Sequence, residues 1–254
     1  MRVKFIGVGE AFDEELPNTS ILVGTGEGAD ENFILFDCGF TAPSSFWKNC
    51  PEPDRLEAIW ISHFHGDHFF GLPALLARFR QANRKRPLLL IGQQGTKEIV
   101  TQTLGLAYPS LAQKIEYELR FVEVEPGQTL LEAGVFWQFA LNGHSRKDLA
   151  VRVEKGSKSV FYSGDGMPTE ETVSLARGAD LAIHEAFRID GEPPGHATVL
   201  RAIEFARRAK VRRLALVHVD RDERKLRRGD ILRMVGAVPD LEIFLPEPGA
   251  EWRI

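Results

Sequence analysis

Short runs of β-branched and aromatic residues, bounded by Gly, Pro, Asn or Asp, recur through the first forty positions: VKFIGVG (3–9), TSILVG (19–24) and FILFDCG (33–39). Such runs predict strands. AIWIS (58–62) predicts another and leads directly into HFHGDH. In GLPALLARFRQ (71–81), Leu72, Leu75, Leu76 and Phe79 recur at helical spacing and Pro73 suits a first turn, so the segment predicts a helix. LLLIG (88–92) returns to strand, and 94–116 is mostly helical in pattern.

The middle of the chain is strand-rich again: 118–124, 128–134, 134–143, 149–154 and 158–164, with turn signals at 125–127 and 154–156. The last third alternates. Helices at 169–177, 198–209 and 223–235 precede strands at 181–186, 213–219 and 241–245. Two strand-rich stretches are each followed by helices, and no Ser/Gly-rich or Pro-rich linker divides them. The expectation is one domain, 1–254, of two sheets packed face to face with helices outside.

Composition removes several classes. At 254 residues, 43% hydrophobic and 27% charged, the chain has the make-up of a globular core and not of a disordered one. No apolar run approaches the ~18 residues of a membrane helix. A formal net charge of −4 argues against a general DNA-coating protein. Cys38 and Cys50 are too few for a disulfide framework or a cysteine zinc site. The N-terminus lacks the apolar core of a secretory signal, so the cytoplasm is the expected compartment. GVGEAF (7–12) lacks the third glycine and the helix of a dinucleotide loop.

Candidate chemistry concentrates in histidine. Three of the seven fall within six residues, His63, His65 and His68, with Asp67 between. Imidazole and carboxylate suit zinc and similar divalent ions. His63 and His65 are two apart on a chain leaving a strand, so an extended backbone points both to one side. Asp67 and His68 lie past Gly66, where the chain can turn to a second point. One loop thus offers ligands to two neighbouring metals. His144, Asp165 and His218 each sit at or near the end of an apolar strand, where loops at one sheet edge converge.

His63-x-His65-x-Asp67-His68, with His144, Asp165 and His218 following, resembles the metallo-β-lactamase superfamily over essentially the whole chain. The resemblance implies an αββα sandwich of two mixed sheets with a dinuclear site at one edge. It implies that His63, His65 and His144 bind one metal, that Asp67, His68 and His218 bind the other, and that Asp165 bridges them. It also matches Asp37 to an aspartate that buttresses the metal loop. The cofactors expected are two divalent ions, zinc by default, with manganese or iron able to occupy such a site.

His184-Glu185-Ala186-Phe187, His196-Ala197-Thr198, AsnThrSer at 18–20 and GlyLeuPro at 71–73 resemble the ribonuclease Z and phosphodiesterase branch. There a histidine contacts the scissile phosphate and a glutamate orients it, which implies His196 and Glu185 here. With Asp67 they form the expected catalytic group. Two metals supply a nucleophile and neutralise phosphoryl charge, and a protonated imidazole supplies the leaving alkoxide's proton. A helix N-terminus beside His196 favours an anion. Thr198 is expected as that helix's N-cap and His184 as a packed strand residue.

The chain departs from ribonuclease Z in two places. That branch carries a long tRNA-gripping arm between the segments matching His144 and Asp165; here only 21 positions separate them. After His218 the chain reads Val-Asp-Arg-Asp-Glu. Both departures favour a small phosphodiester or nucleotide, such as a cyclic phosphate, over RNA. Basic runs at Arg78–Arg86, Arg207–Arg213 and Arg221–Arg228 serve as a nucleic-acid track only if they share a face; such runs are usually solvated faces interleaved with acids. The alternatives are an ester, lactone or thioester hydrolase on the same metals, and a metal-binding accessory protein without turnover. The resemblance also allows a homodimer, and the lack of a long apolar run predicts no membrane partner.

Overall fold

The computed structural model describes the backbone of all 254 residues and every side chain except those of Ala29, Leu111 and Ala112. Fourteen strands form two seven-stranded mixed sheets. The first comprises β1 (Arg2–Gly7), β2 (Ser20–Gly24), β3 (Phe33–Phe36), β4 (Leu56–Ile61), β5 (Leu88–Gln93), β6 (Leu119–Val124) and the chain-terminal strand Glu251–Arg253, β14, which lies beside β1. The second runs β7 (Thr129–Glu132), β8 (Val135–Leu141), β9 (Leu149–Lys155), β10 (Lys158–Tyr162), β11 (Leu181–Glu185), β12 (Arg213–Val217) and β13 (Glu242–Phe244) in spatial order. In each sheet one half pairs antiparallel; β3 to β6 and β10 to β13 pair parallel.

Alternation along the strands builds three apolar layers. In β4, Ala58 and Trp60 face the second sheet while Ile59 and Ile61 face outward. In β12, Ala215 and Val217 face inward and Leu214 and Leu216 outward. The inter-sheet layer is knitted by Trp60 stacked on Phe139 (4.9 Å between centroids) and Phe36 on Tyr162 (5.7 Å). Helices α1 (Ala42–Asn49), α3 (Leu72–Gln81) and α4 (Thr96–Ala107) cover the first sheet; α2 is the single turn Gly66–Phe69 and α5 the turn Pro109–Ala112. Helices α6 (Glu170–Leu175), α7 (Val199–Ala209) and α8 (Arg221–Gly236) cover the second. The αββα architecture expected from the sequence is the one observed.

Differences lie at the ends of elements. Helix α1 was not expected, because AlaProSerSer opens it with weak helix formers; it forms by burying Ala42, Pro43, Ser45 and Phe46. Strand β14 is three residues long and has little pattern of its own. Several strands stop earlier than their apolar runs suggest. Strand β3 ends before Asp37, β10 before Gly164 and β12 before His218, all three with positive φ (56°, 63° and 56°). A left-handed residue leaves the ladder. The chain therefore turns out of the sheet where the polar cluster begins.

Candidate metal centre

The loop His63–His68 leaves the C-terminal end of β4. Its first part is extended, and the backbone of His65 (φ −87°, ψ 147°) precedes the turn α2. The His63 and His65 rings consequently lie side by side, 4.7 Å between centroids, while Asp67 and His68 ride on the turn. The loop is anchored from behind: Cys38 N–H donates to His68 O (2.7 Å) and Gly71 N–H to Cys38 O (2.9 Å). Gly39 is required there, since a Cβ would stand 1.8 Å from Asp67 O.

The second sheet brings the remaining groups. His144 follows β8, Asp165 follows β10, Glu185 ends β11, His196 precedes α7 and His218 follows β12. His63, His65 and His144 gather with nitrogen atoms within 4.8 Å of one another, and Asp67, His68, Asp165 and His218 form an adjoining group within the same limit. His68 Nε2 and His218 Nε2 lie 3.2–3.4 Å from Oδ2 of both Asp67 and Asp165. All seven ligand candidates from the sequence are thus in one cluster, in two groups.

The donors fit divalent cations. His144 Nδ1 donates to Gly195 O (2.6 Å), and His68 Nδ1 to Asp37 Oδ2 (2.7 Å). His63 Nδ1 lies 2.7 Å from Asp148 Oδ2. An oxygen on Nδ1 fixes the tautomer and leaves the Nε2 lone pair for a metal. Nε2 of His63 and of His68 are buried and find no hydrogen bond among the described residues.

The electrostatics carry the same message. Burial holds His63 well below the usual imidazole range. Burial also opposes charge on His68, yet Asp165, Asp67 and Asp37 outweigh it and raise this imidazole well above its usual range. His218 is likewise raised, to about 9, against burial, by Asp165 and Asp67. Asp165 and Asp67 are held far below the usual carboxylate range despite burial, by these same histidines. The cluster demands positive charge, which bound metal supplies by displacing the protons.

Asp37 is wholly buried and accepts from Ser62 N–H (2.8 Å), Ser62 Oγ–H (2.7 Å) and Tyr162 Oη–H (2.7 Å) besides His68. Beside the cluster, His196 Nδ1 lies 3.1 and 3.2 Å from the two Glu185 oxygens, of which Oε1 also accepts from Gly166 N–H and Ala197 N–H. Burial disfavours charge on His196, but the Glu185 hydrogen bond and charge raise its pKa overall. Phe187 stacks on the His196 ring at 4.7 Å. Thr198 caps α7 through Arg201 N–H, and His184 packs on Phe205 with Nδ1 donating to Glu185 O. Sequence reasoning missed Ser62, Tyr162 and Asp148. The only signal for Asp148 was a charged residue at the entrance to an apolar strand.

A family model described as a β-lactamase superfamily domain matches residues 32–219. A ribonuclease Z of Methanosarcina acetivorans is 26% identical over 273 aligned positions, covering 86% of this chain and 87% of its own. The fold is shared with the metallo-β-lactamase fold protein YhfI of Bacillus subtilis (TM-score 0.79, 24% identity, 99% of this chain and 98% of that one). Human tRNase Z, short form, gives a TM-score of 0.80 at 22% identity, covering 100% of this chain and 99% of its own. A family match spanning most of the sequence, and carrying its histidine loop, shows that the chain belongs to the β-lactamase superfamily.

Proposed function

We propose that this hydrolase cleaves a phosphodiester bond in a small substrate, a cyclic phosphate or a nucleotide. His63, His65 and His144 would hold one divalent ion and Asp67, His68 and His218 a second, with Asp165 available to both. Ions held this way supply a nucleophile and neutralise charge on the phosphoryl oxygens. The observation that carries the reading is the Glu185–His196 pair beside the cluster. Glu185 accepts from Nδ1 of His196 and its charge favours the imidazolium, and in that form Nε2 also carries a proton, the one that passes to the leaving oxygen. A leaving alkoxide needs that proton, whereas a thiolate or an aryloxide departs without it. The ribonuclease Z name of the aligned relatives agrees with this bond type.

Two features favour a small substrate over RNA. Residues between His144 and Asp165 are used up by β9, β10 and their hairpin, so no arm projects. Most of the basic runs are neutralised, although Arg78 and Arg80 donate instead to Gln81 and the Lys114 carbonyl. Arg207, Arg208, Arg212 and Arg213 face Asp240, Glu170, Asp180 and Glu242. Arg221, Arg224, Arg227 and Arg228 face Glu10, Asp13, Asp190 and Glu247. Arg84 is buried among backbone carbonyls, and Lys85 and Arg86 face Glu116 and Glu57. No helix among the described residues is long and apolar enough to cross a membrane.

The test is a panel for the zinc- or manganese-loaded protein: a cyclic nucleotide, bis(p-nitrophenyl) phosphate, a short RNA and a lactone. Turnover of the cyclic nucleotide is expected. Lactone turnover with no phosphodiester turnover would reverse the assignment.

A further inference from the structure

We infer that Asp148 is the positioning residue for His63, as Asp37 is for His68, so that each of two buried carboxylates serves one of the two ion positions. The inference rests on the two-ion reading above.

Asp148 stands at the entrance to β9, brought against the histidine loop by Leu149 N–H, which donates to Ser62 O (3.1 Å). Its side chain and that of His63 are both fully buried, and Oδ2 lies 2.7 Å from His63 Nδ1. Oxygen and nitrogen approach that closely with a proton between them; burial and Asp165 raise the Asp148 carboxyl well above its usual range, so a cation at Nε2 is what would place that proton on Nδ1. Ser62 Oγ, 3.0 Å from Nδ1, donates to Asp37 and so can only accept from Nδ1, with Asp148 Oδ2 the nearer of the two oxygens there. The same Asp148 Oδ2 accepts from Asp165 N–H (3.1 Å), so one oxygen ties His63 to the backbone of the spanning aspartate.

The pocket leaves room for the branched end of Asp148 and no more. Gly164 has φ +63°, and a Cβ there would stand 2.6 Å from both Asp148 oxygens. Asp148 Oδ1 is buried with no hydrogen bond, and His63 is its only ion-pair contact among the described residues. A backbone N–H alone would be satisfied by an asparagine, without burying a charge close to Asp165. A carboxylate belongs there only if positive charge arrives on the far side of the imidazole, where His63 Nε2 faces the cluster.

The decisive measurement is metal content after equilibration in a zinc buffer. Wild type should hold two ions per chain. Asp148→Asn should weaken one position about 10- to 100-fold, so that content falls toward one. Adding His144→Ala should cost no further ion, whereas adding His218→Ala should remove the second. Metal-free Asp148→Asn should melt no lower than metal-free wild type, since only the loaded protein uses the charge; a structural carboxylate would show the opposite. Two ions at unchanged affinity in Asp148→Asn would overturn the inference and leave the two-ion reading intact. Fewer than two in wild type would overturn both. If the variant fails to fold, the wild-type protein decides: ¹⁵N-histidine spectra of the zinc form should place the His63 proton on Nδ1, and a proton on Nε2 would sink the idea.

Discussion

Both carboxylate oxygens of Glu185 lie within 3.2 Å of Nδ1 of His196. Glu185 is fully buried, so this imidazole is aimed from a rigid strand end and not from a mobile rim. If His196 supplies the leaving group's proton, His196→Ala should lose about 10²- to 10⁴-fold in kcat on a substrate with an alkoxide leaving group. The loss should be much smaller on a p-nitrophenyl ester, whose phenolate departs unaided. Equal losses on both would show that His196 only binds. Glu185→Gln should follow the same pattern with a smaller loss.

Asp37 accepts from four buried donors, so its removal leaves all four without a partner. Asp37→Ala should cost about 3–5 kcal/mol, read as a lowered urea midpoint in the metal-free protein. An unchanged midpoint would show that the four hydrogen bonds add no net stability, since Ala at φ 56° has no advantage of its own to offset their loss.

His184 gives a pH prediction with a definite sign. Burial lowers its pKa, although the carbonyl of Glu185 partly opposes this. Above the unfolded value of about 6.5, it is neutral in both states. As pH falls below that value the unfolded chain takes up the proton first, and stability is lost at up to about 1.4 kcal/mol per pH unit. The stability difference between His184→Leu and wild type, measured by denaturant titration from pH 7 to 5, should therefore shift in favour of the variant as pH falls. A difference independent of pH would contradict this.

Paired arginines leave few cations for a phosphate backbone. RNA affinity should fall only shallowly with salt, with a slope of no more than about two released counterions. Filter binding of a short RNA from 50 to 200 mM salt measures this; a steep slope would restore the nucleic-acid track.

The layered fold was legible because period-two alternation in β4 and β12 reports two buried faces directly. The histidine loop was legible because its imidazoles and carboxylate are adjacent in sequence, and the distant members of the cluster because each ends an apolar run. What escaped notice depends on contacts between sheets. Asp148 and Tyr162 look ordinary until Leu149 docks on Ser62 and Tyr162 reaches Asp37, 125 positions away. Helix α1 escaped for a related reason: its stability comes from what it covers, not from its own residues. The basic runs could be read only once their acidic partners were placed, most of them far off in the chain.

The polar cluster is divided between the sheets: His63, His65, Asp67 and His68 come from one, and His144, Asp165 and His218 from the other. A slip of either sheet by a single residue, roughly 3.3 Å, would pull the two contingents apart. Cations seated across this seam would therefore lock the sheets in alignment. Loading should protect amides near the inner faces of β4 and β10 from hydrogen exchange more than it protects the outer helices.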